Sequence, residues 1–457
     1  MAIKTLHLTN AYHATSGGIR TFYRALLARA NEEQRPCRLV VPGAVDGVEE
    51  VGAFARIYTV KARSSPVFDS RYRLLLPPTY LTPGGRLREI LAHEQPDLVE
   101  ICDKYSLFYL AALLRKEWLT NVKRPTLIGL SCERMDDNVS AYVSSGRAGR
   151  AVSRAYIRHL YGPPFDAHVA NSEYTASELR RSLWDRSPDF IHVCPMGVEV
   201  AAFGPVHRDR QLRRRLLAQA GGTADSVLLF YAGRLSPEKN LGLLIDMLDH
   251  LQRPTRGTDV SRDYRLVLAG DGPMTEAILK DAAHRVPHRV HWVGAIRDRA
   301  ELAAHYASAD VFVHPNPKEP FGIGPLEAMA SRVPVVLPSA GGVLSYANPT
   351  NAWLAEPVGA SFAHAVRTVL SRPDDGRVAA AFETARHLDW SQVTARFFKL
   401  YDQLHRRRQA SPSAEAGPIP LRLVSQATHD FALTTSVSHR IVTGLGHSAL
   451  QESEVTE

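Results

Sequence analysis

Short apolar runs, each followed by a stretch with helical spacing, repeat along most of the chain. In the first half the runs are KTLHLTN (4–10), CRLVVPG, ARIYTV, DLVEICD, PTLIGLSC, DAHVANS and FIHVCP, with SLFYLAALLRKEW and TASELRRSL among the helical stretches between them. Runs without polar alternation, separated by helices, predict parallel strands buried on both faces. The pattern loosens over residues 197–222 and then restarts. SVLLFYAGR, YRLVLAGDGP, RVHWVGAI, DVFVHPN, VPVVLPS and NAWLAEP alternate with NLGLLIDMLDHL, MTEAILKDAAHRV and RAELAAHYASA. The prediction is an α/β chain with two doubly wound domains.

The 457 residues exceed one comfortable core, which agrees with two domains. The expected divisions are an N-terminal domain over 1–198, a second over 199–388, a closing helix over 389–407 and a flexible tail over 408–457. The tail is rich in Ser, Ala, Thr and Pro and lacks periodicity. No run approaches the roughly 18–20 apolar residues of a membrane span. MAIKTLHLTN lacks a signal-peptide core and reads as a first strand, so a cytoplasmic protein is expected. Cys37, Cys102, Cys132 and Cys194 are too widely spaced for a zinc or redox motif. A net charge of +8 favours anionic partners. No nucleic-acid-binding signature accompanies it, so nucleic acid is not an expected partner.

Open α/β sheets bind ligands at the carboxyl ends of their strands, and the candidate chemistry lies there. GRLSPEKN (233–240) follows VLLFYA, with Gly233 to turn the chain and Arg234 and Lys239 as cations near the next helix start, a place suited to phosphate. A surface Arg and Lys with Glu238 as an early-helix acid would explain the same residues. Gly17 and Gly18 in SGGIR form the matching turn after the first strand, where a tight strand–helix connection would also suffice. AGDGP (269–273) reads as a structural turn. In KEPFGIGPLEAMA (318–330), Glu319 leaves a strand, Gly322 and Gly324 bare backbone amides, Pro325 suits a first helical position and Glu327 the first turn. Complementing the helix dipole explains Glu327 but neither Glu319 nor the glycines.

In this order and spacing, from about residue 4 to 405, these segments resemble the retaining family-4 glycosyltransferases of GT-B fold. VANSEYTASEL, PMGVEVAAF, VGAI, EAMA and VPVV belong to the same resemblance. It implies two Rossmann-like domains facing a cleft and transfer of a hexose, mannose- or glucose-type, from a nucleoside diphosphate sugar to a saccharide or lipid-linked acceptor. Arg234 and Lys239 would hold the diphosphate, and Glu319 would meet the hydroxyls of the transferred sugar. The amides of Phe321, Gly322, Ile323 and Gly324 would contact sugar and phosphate, with Glu327 on the ribose and Gly294 near the base. Gly233 would turn the phosphate loop, while Gly17 and Gly18 would close over the phosphates. Many metal-using nucleotide-sugar transferases carry an Asp-x-Asp pair; the chain contains none. Metal independence is therefore expected, with no cofactor beyond the sugar nucleotide as co-substrate.

Two positions depart from the family pattern. Cys132 stands where many relatives carry a His near the reacting sugar, so His13, Asp103 or Glu133 would have to supply that contact on the acceptor side. Arg332 replaces a usual glycine. A basic helix, RAGRAVSRAYIRHLYG (147–162), reads best as packed on the sheet with its arginines solvated. The alternative is a face on anionic lipid at the inner side of a membrane. Rival functions are a sugar-nucleotide epimerase or hydrolase on the same fold, or a catalytically weakened binding homologue. A nicotinamide dehydrogenase is disfavoured because no Gly-x-Gly-x-x-Gly follows a strand.

Overall fold

The computed structural model describes residues 2–13, 17–64, 73–142, 147–253 and 262–410. Ser16 of the glycine turn, and the tail from residue 411 onward, lie outside them. An eight-stranded sheet runs Ile191–Val193, Ala167–Ala170, Thr126–Ser131, Leu98–Cys102, Thr5–Thr9, Cys37–Gly43, Ala55–Lys61, Gly47–Glu50. All neighbours are parallel except the last pair. A six-stranded sheet runs Val290–Gly294, Tyr264–Ala269, Val227–Ala232, Val311–Val313, Val335–Pro338, Trp353–Ala355, parallel throughout.

The central strands Thr5–Thr9 and Thr126–Ser131 are buried at every position. This is why they read as continuous apolar runs. The edge strand Gly47–Glu50 is exposed at all four positions and carried no such signal.

The first glycine turn opens helix Gly18–Glu32, which buries Phe22, Tyr23, Leu26, Leu27 and Ala30. Part of that stripe faces the C-terminal helix Trp390–Ala410, with the Phe22 and Phe397 rings 4.8 Å apart. Beneath this contact sits a buried polar knot. Glu100 accepts from Tyr23 (2.9 Å) and from the Tyr401 hydroxyl, and lies 3.0 Å from His7 Nδ1. Burial alone would lower the His7 pKa, but the facing Glu100 carboxylate outweighs it and pushes the value up to about 10.

Candidate active site

In the second sheet, three loops leaving the carboxyl edge are stitched together. Gly233 N–H donates to Ala269 C=O (3.0 Å) and Gly270 N–H to Gly294 C=O (2.7 Å). Gly270 has φ +133°, and a Cβ there would lie 1.8 Å from the Gly233 carbonyl oxygen. The AGDGP turn is thus structural, and its glycine lets the Arg234 loop approach.

Lys239 lies in a single 3-10 turn, Pro237–Lys239, followed by Asn240 in the left-handed region (φ +54°). The α-helix begins only at Gly242. Neither Lys239 nor Glu238 therefore sits on a helix start, and the helix-dipole argument does not reach them. Instead the Lys239 ammonium donates to both Glu319 oxygens, at 3.0 and 2.8 Å.

Glu319 also accepts from Asn316 Nδ2 at 3.0 Å. The His314 Nε2 atom lies 3.3 Å from Glu319 Oε2, close enough for charge interaction but not aligned as a hydrogen bond. Burial would raise the Glu319 pKa; the Lys239 charge, aided by His314, reverses this and holds the carboxyl well below its usual range. The structure thus brings two of the charged candidates, Lys239 and Glu319, into one ion pair. Asn316 and His314, in the HPN run just after strand Val311–Val313, were not singled out from sequence.

The loop after Glu319 turns at Gly322 (φ +87°), and the helix runs Ile323–Ala330. Pro325 is its third residue, not its first. Glu327 is its fifth and lies beyond the first turn, which corrects the dipole reading. Its Oε2 accepts from Tyr306 O–H at 2.9 Å. Burial raises its pKa, and Tyr306 and Arg299 offset this only in part. Phe321 is buried against Tyr346, whose hydroxyl donates to Gly322 C=O at 2.6 Å. The Ala340–Gly342 turn braces the loop. Gly342 N–H donates to Glu319 C=O at 2.7 Å, and a Cβ on Gly342 would lie 1.9 Å from Pro320 O.

The first domain faces this loop. A Cβ added to Gly18 would lie 3.1 Å from Ile323 Cδ1, so the first glycine turn abuts the donor-side helix start; Gly17 has open space beside it. Helix Met135–Tyr142, which follows Cys132 and Glu133, touches the Pro237–Lys239 turn. Glu133 accepts from Asn138 Nδ2 (2.9 Å); burial raises its pKa despite the nearby Lys104. The neighbouring Cys102 thiol, together with burial, raises the Cys132 pKa. Asp103 has a local duty. Its Oδ1 accepts from the amides of Tyr105, Ser106 and Leu107, and its Oδ2 from Asn10. His13 is half-buried and Arg234 half-exposed on their loops.

The basic helix runs Arg147–Tyr156 and turns its small Gly149 and Ser153 inward. Ala151, Val152 and Ala155 are exposed alongside Arg150 and Arg154, so the apolar residues do not pack on the sheet as the sequence reading held. Arg158 lies 4.8 Å over the ring of Trp184, which is 72 % exposed. Arg332 is exposed, at φ +56°, with its guanidinium 4.3 Å over Phe382. Among the described residues no helix is long and apolar enough to cross a membrane.

Residues 214–386 match the family described as Glycosyl transferases group 1. The chain is 29% identical over 393 residues to a GDP-mannose-dependent alpha-(1-6)-phosphatidylinositol dimannoside mannosyltransferase of Mycobacterium tuberculosis, covering 86% of this chain and 94% of that one. A GDP-mannose-dependent alpha-mannosyltransferase of the same species is 34% identical over 257 residues, 56% of this chain and 61% of its own. In fold it is similar to sucrose-phosphate synthase from Thermosynechococcus elongatus (TM-score 0.65, 20% identity, 88% of this chain and 100% of that one). It is likewise similar to α,α-trehalose 6-phosphate synthase from Burkholderia multivorans (TM-score 0.66, 16% identity, 91% and 99%). The chain has the two-sheet GT-B fold of these enzymes, and the family match and the mycobacterial relatives support a family-4-like glycosyltransferase.

Proposed function

We propose that the protein transfers a hexose, with retention and without a metal ion, from a nucleoside diphosphate sugar to a saccharide or lipid-linked acceptor. The observation that carries this is the buried, ionised Glu319 held by Lys239 at the carboxyl edge of the second sheet, against the first domain. A carboxylate kept charged accepts hydrogen bonds from sugar hydroxyls. Two of the three donors of the Lys239 ammonium go to Glu319, leaving one for a phosphate oxygen. As the sugar C1–O bond breaks, its electron pair passes to the departing phosphate, where Lys239 and Arg234 oppose the new charge. A preorganised donor of this kind contributes about 2.7–4 kcal/mol. The acceptor oxygen attacks from the same face, and its proton goes to the departing phosphate oxygen. Glu327 holds the ribose and the Gly294 turn borders the base. Glu133, His13 and Cys132 line the acceptor side.

The mycobacterial relatives act on GDP-mannose, which supports GDP-mannose as the first donor to try. The lack of an Asp-x-Asp pair supports metal independence. The exposed Val152 and Trp184 beside Arg150, Arg154 and Arg158 support peripheral contact with an anionic membrane, as a lipid-linked acceptor requires.

The test is incubation of the purified chain with GDP-mannose or UDP-glucose, EDTA and a phosphatidylinositol mannoside acceptor, with products read by mass spectrometry. A glycosylated acceptor is expected. Epimerised or hydrolysed donor without transfer product would overturn the reading. Thermal shifts rank the donors, since a ligand at one hundred times its Kd adds about 2.7 kcal/mol.

A further inference from the structure

The loop that carries Glu319 is held from two sides, and one of them is the other domain. Glu319 C=O accepts from Gly342 N–H within the second domain. The next carbonyl, that of Pro320, accepts from Ser172 O–H of the first domain at 2.5 Å. Ser172 is fully buried and caps helix Glu173–Ser182 by accepting from Thr175 N–H at 3.0 Å. Asn171 Oδ1 in turn accepts from Thr175 O–H at 2.8 Å. Local cap contacts therefore fix the serine oxygen that reaches across the cleft.

Two other crossings are weaker. Thr175 O–H, which donates to Asn171, also lies 3.4 Å from the Pro320 carbonyl oxygen. Lys318 Nζ lies 3.7 Å from Asp137 Oδ1, but Lys318 is largely exposed, and such a pair contributes little. The Ser172 bond is short, comes from a fully buried serine and is directed at the carbonyl of the residue after Glu319. A loop with one flank tied in each domain can place its carboxylate correctly only when both domains are in position.

We infer that Ser172 is a positioning residue: its hydroxyl carries the approach of the first domain to the Glu319 loop and sets the carboxylate on Lys239. This rests on the reading of Glu319 as the sugar-contacting group. The consequence is a commitment step, because an open enzyme binds donor with a misplaced Glu319 and so spares it from hydrolysis.

The experiment compares Ser172→Gly, Ser172→Thr and Glu319→Ala in the full chain. Glycine is nearly as good an N-cap as serine, so Ser172→Gly removes the shorter interdomain donor, leaving only the long Thr175 contact, with little effect on the helix. Threonine keeps the hydroxyl. Ser172→Gly is expected to lower kcat about tenfold with donor KM within twofold of wild type, and to speed amide exchange across residues 318–324. Ser172→Thr is expected to stay within threefold of wild type in both. An unchanged kcat or unchanged loop exchange in Ser172→Gly overturns the inference. So does a loss in Ser172→Thr as severe as in Ser172→Gly, which would assign the effect to packing. Full activity in Glu319→Ala, or a wild type inactive with every donor, instead overturns the functional reading; loop exchange still tests the tether in that case.

Discussion

Replacing Lys239 by Met keeps most of the side chain's bulk and deletes its charge, which isolates what the ion pair does. The Lys239 side chain is 20% exposed and that of Glu319 11%, so the pair stands between a surface bridge and a dry one. Surface pairs contribute about 0–1 kcal/mol, whereas breaking a buried pair costs roughly 3–5 kcal/mol because a charge is left stranded. Lys239→Met should therefore cost about 2 kcal/mol, and the fold survives against a total near 5–15 kcal/mol. The double variant Lys239→Met with Glu319→Gln removes the stranded charge and should regain at least half of that loss. Transfer by each single variant should fall about 10²–10³-fold in kcat, the usual effect of losing one preorganised donor.

Acid titration gives the sign that a packing defect would not. In the wild type the folded Glu319 pKa is depressed below the ordinary 4.5. Its contribution is therefore complete above that value and fades as pH falls through the folded pKa. In Lys239→Met the main opposing charge is gone and burial raises the same group. The sign then reverses, and the variant gains stability relative to wild type as pH falls towards 4.5. Urea unfolding from pH 7 to pH 4 reads both slopes. A Lys239→Met variant within 0.5 kcal/mol of wild type (about the scatter of ordinary surface changes), with unaltered transfer, would refute the reasoning.

Glu327→Gln should weaken donor binding roughly tenfold by calorimetry, the scale of one charge-assisted hydrogen bond. Because burial raises the Glu327 pKa, its charge opposes folding above that value, so the variant should also melt slightly higher at pH 8. Gly342→Ala places a Cβ where Pro320 O now sits at 1.9 Å; it should cost about 1–3 kcal/mol in urea unfolding and lower transfer through the Glu319 loop. Tyr401→Phe removes one donor from the buried Glu100 and should cost about 1–3 kcal/mol. The raised His7 pKa adds stability that is complete below pH 6.5 and lost as pH rises towards about 10, which alkaline unfolding curves would show.

The buried strands were legible because parallel strands covered on both faces have no polar alternation to hide them. Elements without an apolar stripe were not. Strand Gly47–Glu50 is exposed throughout, and helix Met135–Tyr142 carries two aspartates in its first turn. In the site, Lys239 and Glu319 stood out as charges placed just after strands. Their bond did not, since 80 residues separate them and only the sheet order brings Val227–Ala232 beside Val311–Val313. Helix starts were misjudged for a local reason. A 3-10 turn intervenes before Gly242, and a positive-φ Gly322 lets the other helix begin before its proline. Ser172 was not singled out within VANSEYTASEL, because its partner across the cleft lies 148 residues away.

The same long-range logic explains PMGVEVAAF and the tryptophan that opens the last helix. The chain leaves the first sheet after Ile191–Val193 and returns to it through Trp390–Ala410, and these two crossings lie side by side. Val198 N–H donates to Leu388 C=O at 2.9 Å, Trp390 N–H returns to Val198 C=O at 3.0 Å, and Val200 N–H reaches Asp389 Oδ2 at 3.1 Å. Gly197 has no side chain because a Cβ would lie 2.7 Å from the Trp390 ring. With both covalent links fastened at one place, any relative motion of the two sheets is a rotation about that place, and its amplitude grows with distance from it. The returning helix packs on helix Gly18–Glu32 and hydrogen-bonds the Glu100 knot through Tyr401, so the Gly18 turn keeps its position in the first domain while the second swings. The cleft contacts between Gly18 and Ile323, and between Ser172 and Pro320, are then those that such a rotation makes or breaks, and Glu319 is the chemical group beside them.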